Sequence, residues 1–253
     1  MRLGRVESDA APKTAVTNDV TFTASCDGSP QKYVQVLPGN FTPDKPVDIL
    51  IVLHGHGSDR WQFILKDRPE CRAVRDVARK RGMILISPDY RAKTSWMGPK
   101  AEADLVQIIG ELKGKDATRR VFLCGASMGG SSCLTFAALH PEMLAGVASM
   151  NGTANHLEYE NFQDAISQSF GGSKAQIPEE YKKRSAELWP ERFSMPVSFS
   201  VGGKDRSVPP DSVLRLAAKL KAAGRDTFLI HRKDGGHSTT YADGVKILEF
   251  AID

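Results

Sequence analysis

RRVFLCGASMGGSSCLTFAALHPE, Arg119–Glu142, joins an apolar run to a helical pattern through a cluster of small residues. The run VFLC, Val121–Cys124, reads as a strand covered on both faces. The join consists of Gly125, Ala126, Ser127, Met128, Gly129 and Gly130. A turn that tight uses glycine to remove Cβ clashes, and it lifts its central residue clear of both elements. That residue is Ser127, a hydroxyl.

The pattern extends in both directions. DVTFTASCDGSPQKYVQVLPGNF (19–41) alternates apolar and polar residues on either side of DGSP, which predicts two antiparallel strands around a turn. VDILIVLHGHG (47–57) opens on a second continuous apolar run. A helical pattern follows over about Trp61–Lys80, then a strand in MILISPDY (83–90) and a helix opening near Pro99. Beyond the Ser127 turn and its helix, strands are expected within 144–152, 195–205 and 226–237, with helices over 211–224 and near 241–252. Two antiparallel strands leading into six parallel ones with crossover helices define an α/β fold. The expected sheet is eight-stranded and mostly parallel, with helices on both faces.

One segment departs from this alternation. From about Thr153 to Glu191 no regular pattern is legible, and roughly forty residues is too long for an ordinary connection. The segment is expected to form a short cap insertion over the cleft within a single domain spanning 1–253. Its Tyr159, Phe162, Phe170, Tyr181 and Trp189 either stack on a sugar or phenolic ring or build a small core of the insert. The first fifteen or so residues read as a loose tail.

Composition excludes several classes. The 34 Lys and Arg against 30 Asp and Glu leave a formal charge of +4, and the basic residues are scattered among acids. That describes a solvated surface, without the basic stripe and interleaved aromatics of a nucleic-acid binder. No segment approaches membrane-spanning length. MRLGRVESDAAPKTAV at the N-terminus lacks a signal-peptide apolar region, so the expectation is a soluble cytoplasmic protein, or a secreted one where a signal peptide has been removed. The four cysteines show no metal-ligand spacing; Cys124 and Cys133 read as small buried apolar residues, and a Cys26–Cys71 bridge stays open.

In an open α/β sheet, ligands bind outside the carboxyl ends of the strands, and four polar features fall there. Ser127 occupies the centre of G-x-S-x-G between a buried strand and a helix, the setting of a nucleophile elbow. A serine needs a base, and of six histidines His237 in DGGHS directly follows the last strand. His231 lies inside a strand pattern and His140 ends a helix, so both read as structural. The imidazole needs a carboxylate, and Asp205 stands just past the strand VSFSV. Asp234 is its rival, but three residues from His237 on one loop it is poorly placed to reach Nδ1. The resulting order is Ser, Asp, His.

The fourth feature is LHGHGSDRW, directly after the first parallel strand. A tetrahedral intermediate requires two preorganised N–H donors. Met128 is expected to supply one and His56 the other, with Gly57 the near alternative, while His54 braces the loop. Trp61, Trp96 and His156 are candidate substrate contacts.

HGHG, GASMGG, GGKD and GGH, in that order and at strand ends, resemble the α/β-hydrolase superfamily over nearly the whole chain, and within it the compact serine esterases. The SMGG form of the elbow is similar to that of acetyl and feruloyl esterases acting on plant cell-wall polysaccharides, of polyester depolymerases, and of prolyl-oligopeptidase-like hydrolases. The resemblance implies the α/β-hydrolase fold and carries nucleophile, acid and base onto Ser127, Asp205 and His237. It carries no substrate. The expected activity is a serine carboxylesterase acting on a small-molecule or oligosaccharide ester, such as acetyl or feruloyl groups on carbohydrate, with no metal or organic cofactor. A peptidase, a thioesterase or lipase, and a binding protein that has lost catalysis are the competing readings.

Overall fold

The computed structural model describes residues 14–43, 45–113 and 120–253, so the tail expected at the N-terminus lies largely outside the described residues. The hairpin around DGSP forms as β1 (Val16–Thr23) and β2 (Pro30–Leu37), which pair antiparallel. Six strands follow in parallel: β3 (Ile49–Leu53), β4 (Ile84–Pro88), β5 (Val121–Ala126), β6 (Gly146–Met150), β7 (Val197–Gly202) and β8 (Thr227–Arg232). Their order in one sheet is β1-β2-β4-β3-β5-β6-β7-β8, with β2 antiparallel to β4. This is the eight-stranded, mostly parallel sheet that the alternation predicts, and the α/β-hydrolase architecture that the resemblance implies.

The helices are α1 (Gln62–Leu65), α2 (Pro69–Lys80), α3 (Pro99–Lys113), α4 (Met128–Leu139), α5 (Gln163–Phe170), α6 (Pro178–Lys183), α7 (Asp211–Ala222) and α8 (Tyr241–Ile252). Because successive strand side chains point to opposite faces, β3 divides its five buried residues between two cores. Ile49, Ile51 and Leu53 share one core with Leu105 of α3, Phe136 of α4 and Leu216 of α7. Leu50 and Val52 meet Val74 of α2 and Leu248 of α8 on the other side. Every residue of α4 from Met128 to Ala138 is buried, which explains why its sequence shows no polar face.

One expectation is corrected, and one open question is answered. The helical pattern over Trp61–Lys80 is two helices, because Pro69 disfavours helical backbone at the residue before it and Arg68 is extended (φ −97°, ψ 149°). The Cys26–Cys71 bridge left open by the sequence does not form: all four cysteines are free, with Cys26 exposed and Cys71 in the core between α2 and the sheet. Among the described residues, no helix is long and apolar enough to cross a membrane.

The segment between β6 and β7 holds α5, α6 and two 3-10 turns, Ala186–Leu188 and Pro190–Arg192. Its Tyr159, Phe170 and Tyr181 are buried within the main core, so the insert has no separate one. Buried charge anchors it. Arg184, whose side chain is inaccessible, donates to Met97 O at 2.7 Å, to Glu102 at 2.8 Å and to Glu180 at 2.7 Å. Glu187 accepts from Arg215 at 2.6 Å and from Asn155 at 3.0 Å.

Burial alone pushes both carboxyls up, but His140 and Arg184 around Glu102, and Arg215 and Asn155 around Glu187, hold each at about 2. A carboxyl held below its ordinary range stabilises the folded state above that range, and the contribution is lost as pH falls through the folded value. The urea midpoint should therefore drop steeply between about pH 4.5 and pH 2. Glu187→Gln should flatten that drop. An unchanged slope in the variant would show that Glu187 is not one of the groups responsible.

Candidate active site

The Ser127 turn adopts backbone that only a tightly packed join enforces. Ser127 has φ 59° and ψ −122°, its N–H donates to Met150 O at 2.8 Å, and Ser131 N–H donates to Ser127 O at 3.0 Å. Positive φ in a residue with a Cβ stores strain of order 1–3 kcal/mol, which surrounding packing must sustain. Gly129 allows that packing, since a Cβ there would overlap the Leu53 carbonyl. The turn thus sits directly on the end of β3, beside the loop that follows it.

His237 and Asp205 come from loops that close on one another. Gly202 at the end of β7 lies against the Gly235–Gly236 backbone, where a Cβ would meet the Gly236 carbonyl, and Lys204 N–H donates to Gly235 O at 2.8 Å. The glycines of GGKD and GGH let these two backbones touch. His237 Nε2 consequently lies 2.8 Å from Ser127 Oγ, and His237 Nδ1 lies 2.5 Å from Asp205 Oδ2.

The other Asp205 oxygen accepts from the N–H groups of Ser207 and Val208, each at 2.9 Å. Burial works against the Asp205 charge, but the bonds from His237, Val208 and Ser207 together hold its carboxyl below the ordinary range. The insert supports this loop from outside, because Tyr159 Oη donates to Ser207 O at 2.7 Å.

The remaining candidates separate clearly. Asp234 is exposed and pairs with Lys204 at 2.7 Å, away from His237. His231 is exposed on β8, and His140 lies 2.9 Å from Glu102. His54 is buried, its ring nitrogens 2.9 Å from Gly55 O and 3.2 Å from Asp89 O, which is a bracing position.

In the loop after β3, Gly55 N–H donates to Gln62 Oε1 at 2.9 Å and Gly57 N–H donates to Lys93 O at 2.8 Å. Gly57 is thereby committed elsewhere. Among the described residues the His56 N–H finds no acceptor, nor does that of Met128, the first residue of α4.

The cleft in front of Ser127 has a volume of about 550 Å³, within the range of small-molecule sites. Hydroxyl and amide side chains line much of it, Asn151, Ser207, Ser238 and Thr239 among them, together with the single aromatic Phe162. The three expected substrate contacts are corrected. Trp96 and His156 are wholly buried, edge to face at 6.3 Å, and reach no solvent. Trp61 is half-buried beneath the Arg60 guanidinium and does not line the cleft.

Phe162, 41% exposed and 4.5 Å from the His56 ring, occupies the place assigned to the tryptophans. Lys66 and Arg68, from the short link into α2, and Glu70, in its first turn, also line the cleft. The sequence signal for them was Pro69, which breaks the helix and turns that link toward the site. Among the described residues, no group of three or more His, Cys, Asp or Glu side chains is arranged to hold a metal.

The model of the prolyl oligopeptidase family, Peptidase_S9, matches residues 74–251. A sequence search of curated proteins finds no match. Among solved structures, the acylaminoacyl peptidase of Pyrococcus horikoshii superposes with a TM-score of 0.68 at 15% identity, over 90% of this chain and 38% of its own. A ferulic acid esterase superposes with a TM-score of 0.69 at 19% identity, over 93% of this chain and 96% of its own. FphF, a fluorophosphonate-binding serine hydrolase of Staphylococcus aureus, gives 0.66 at 18% identity, over 94% and 97%. The chain spans 34% to 41% of the length of the first peptidases it matches. At these identities the likenesses establish a shared fold.

Proposed function

The chain belongs to the prolyl oligopeptidase family and is a serine hydrolase, and from that premise we propose that it is a carboxylesterase of short-chain or aryl esters, acetyl or feruloyl groups on carbohydrate being the favoured class. The cleft lining carries this reading. Hydroxyl and amide groups suit a polyol, and Phe162 offers one stacking face for a sugar or phenolic ring, whereas a long fatty chain would require an apolar trough. The likeness to a ferulic acid esterase over nearly the full length of both chains supports it further.

In this reading Ser127 Oγ attacks the ester carbonyl while its proton passes to His237 Nε2. Asp205 holds the Nδ1–H and stabilises the imidazolium. The N–H groups of Met128 and His56 receive the oxyanion. The imidazolium returns the proton to the leaving alcohol, and a water repeats the cycle on the acyl enzyme. The substrate is thus a small-molecule or oligosaccharide ester.

A second reading, peptide hydrolysis, is favoured by the family and by the likeness to acylaminoacyl peptidases. Rates on p-nitrophenyl acetate, butyrate and octanoate, on acetylated and feruloylated oligosaccharides, and on acyl-peptide anilides separate the two. The expected result is turnover that fades with acyl length and extends to the sugar esters. Faster cleavage of the anilides than of every ester would overturn the esterase reading.

A further inference from the structure

Four residues that line the cleft beside Ser127 carry donors with no acceptor among the described residues. Lys66 and Arg68 are exposed there and form no ion pair among the described residues. Asn151 is only 4% exposed, and its Nδ2 has no hydrogen-bond partner among the described residues. The fourth follows from a tautomer. The indole N–H of Trp96 lies 3.1 Å from His56 Nδ1, and an indole nitrogen only donates. His56 Nδ1 is therefore the acceptor, and in the neutral ring the proton resides on Nε2, which makes the free nitrogen a donor. Burial disfavours the charged ring, which keeps His56 in that neutral form.

A cleft whose lining residues carry one ammonium, one guanidinium and an imidazole N–H, with an orphaned amide buried behind its wall, calls for acceptors, and for negative charge at the lysine and arginine. Arg68 also caps the N-terminus of α2 without any side-chain hydrogen bond, so the positive end of a twelve-residue helix adds to the same wall. Glu70, in the first turn of α2, is the one carboxylate lining the cleft, and it leaves the basic pair in excess.

We propose that the substrate carries a carboxylate besides its scissile ester, held by Lys66 and Arg68. The proposal rests on the esterase reading and narrows it to anionic esters. The His56 Nε2–H binds a neighbouring uncharged acceptor.

The test uses matched aryl esters at low and high salt. p-Nitrophenyl hemisuccinate is compared with p-nitrophenyl butyrate for a charge on the acyl side, and 3-carboxyphenyl acetate with phenyl acetate for a charge on the alcohol side. At least one anionic ester should exceed its neutral partner by about tenfold in kcat/KM at low salt. That ratio should fall toward one at high salt, where charges are screened within a few ångströms, and in Lys66→Gln/Arg68→Gln. A ratio near one at low salt, or an anionic preference that the double variant keeps, overturns the proposal.

Protection of Ser127 from a neutral fluorophosphonate by glutarate is the second measurement, because phosphonylation requires only an activated serine. Protection lost in the double variant, with no turnover of any ester, would keep the anion site while removing the esterase reading. Absence of both protection and anionic preference removes the anion site, whatever bond the enzyme cleaves.

Discussion

Ser127→Ala is expected to lower kcat on p-nitrophenyl acetate by roughly four to six powers of ten, leaving only what binding and oxyanion contacts supply. The basis is the 2.8 Å approach of Ser127 Oγ to His237 Nε2, with Asp205 behind the imidazole. Residual activity near wild type would remove Ser127 as the nucleophile. Ser127→Gly supplies a stability readout that alanine cannot. At φ 59° and ψ −122° the serine Cβ is strained, so its removal relieves strain that alanine retains. The glycine variant should be more stable than the alanine variant by about 1 kcal/mol in urea unfolding, although both are inactive. Equal stabilities would mean that the elbow holds no recoverable strain.

Arg184→Met is expected to destabilise the fold by about 3–5 kcal/mol, a large part of a typical domain's margin. The arginine lies wholly inside, shared among Glu102, Glu180 and the Met97 carbonyl, with the Phe170 ring 5.4 Å from its guanidinium. Its loss leaves Glu102 partly buried with only His140 as partner, and leaves the Met97 carbonyl without a donor. Adding Glu102→Gln should recover part of the loss, because the uncompensated charge is then gone. Differential scanning calorimetry checks both variants, with Tm expected to fall by roughly 10 °C in the single one. A loss under about 1 kcal/mol would show that water reaches the site.

Most of the fold was legible because each of its elements announces itself locally. Val121–Cys124 and Ile49–Leu53 are short unbroken apolar runs of strand length, as strands covered on both faces require. Ser127, Asp205 and His237 were legible for a related reason: each follows a strand within a few residues, and glycines mark the turns. The segment between β6 and β7 was not legible. Its helices are short, and the segment's apolar residues, such as Tyr159, Phe170 and Tyr181, are placed by contact with a core built elsewhere. The link before Pro69 was misread because a helical pattern resumes in phase beyond it, hiding the break that turns Lys66 and Arg68 toward the cleft.

Sequence by itself determined the strand and helix order, the position of the elbow and the chain order Ser127, Asp205, His237, since these depend on periodicity and on glycine at tight turns. Only the tertiary structure decided which side chains face the cleft. Trp96 and His156 are as polar-tipped and aromatic as any substrate contact, yet they pack against each other out of reach of solvent, while Phe162 reaches the site. The Gly57 N–H was a plausible oxyanion donor until the fold set Lys93 O 2.8 Å from it. Direction and hydrogen-bond commitment are properties of contacts between distant segments, and no local pattern encodes them.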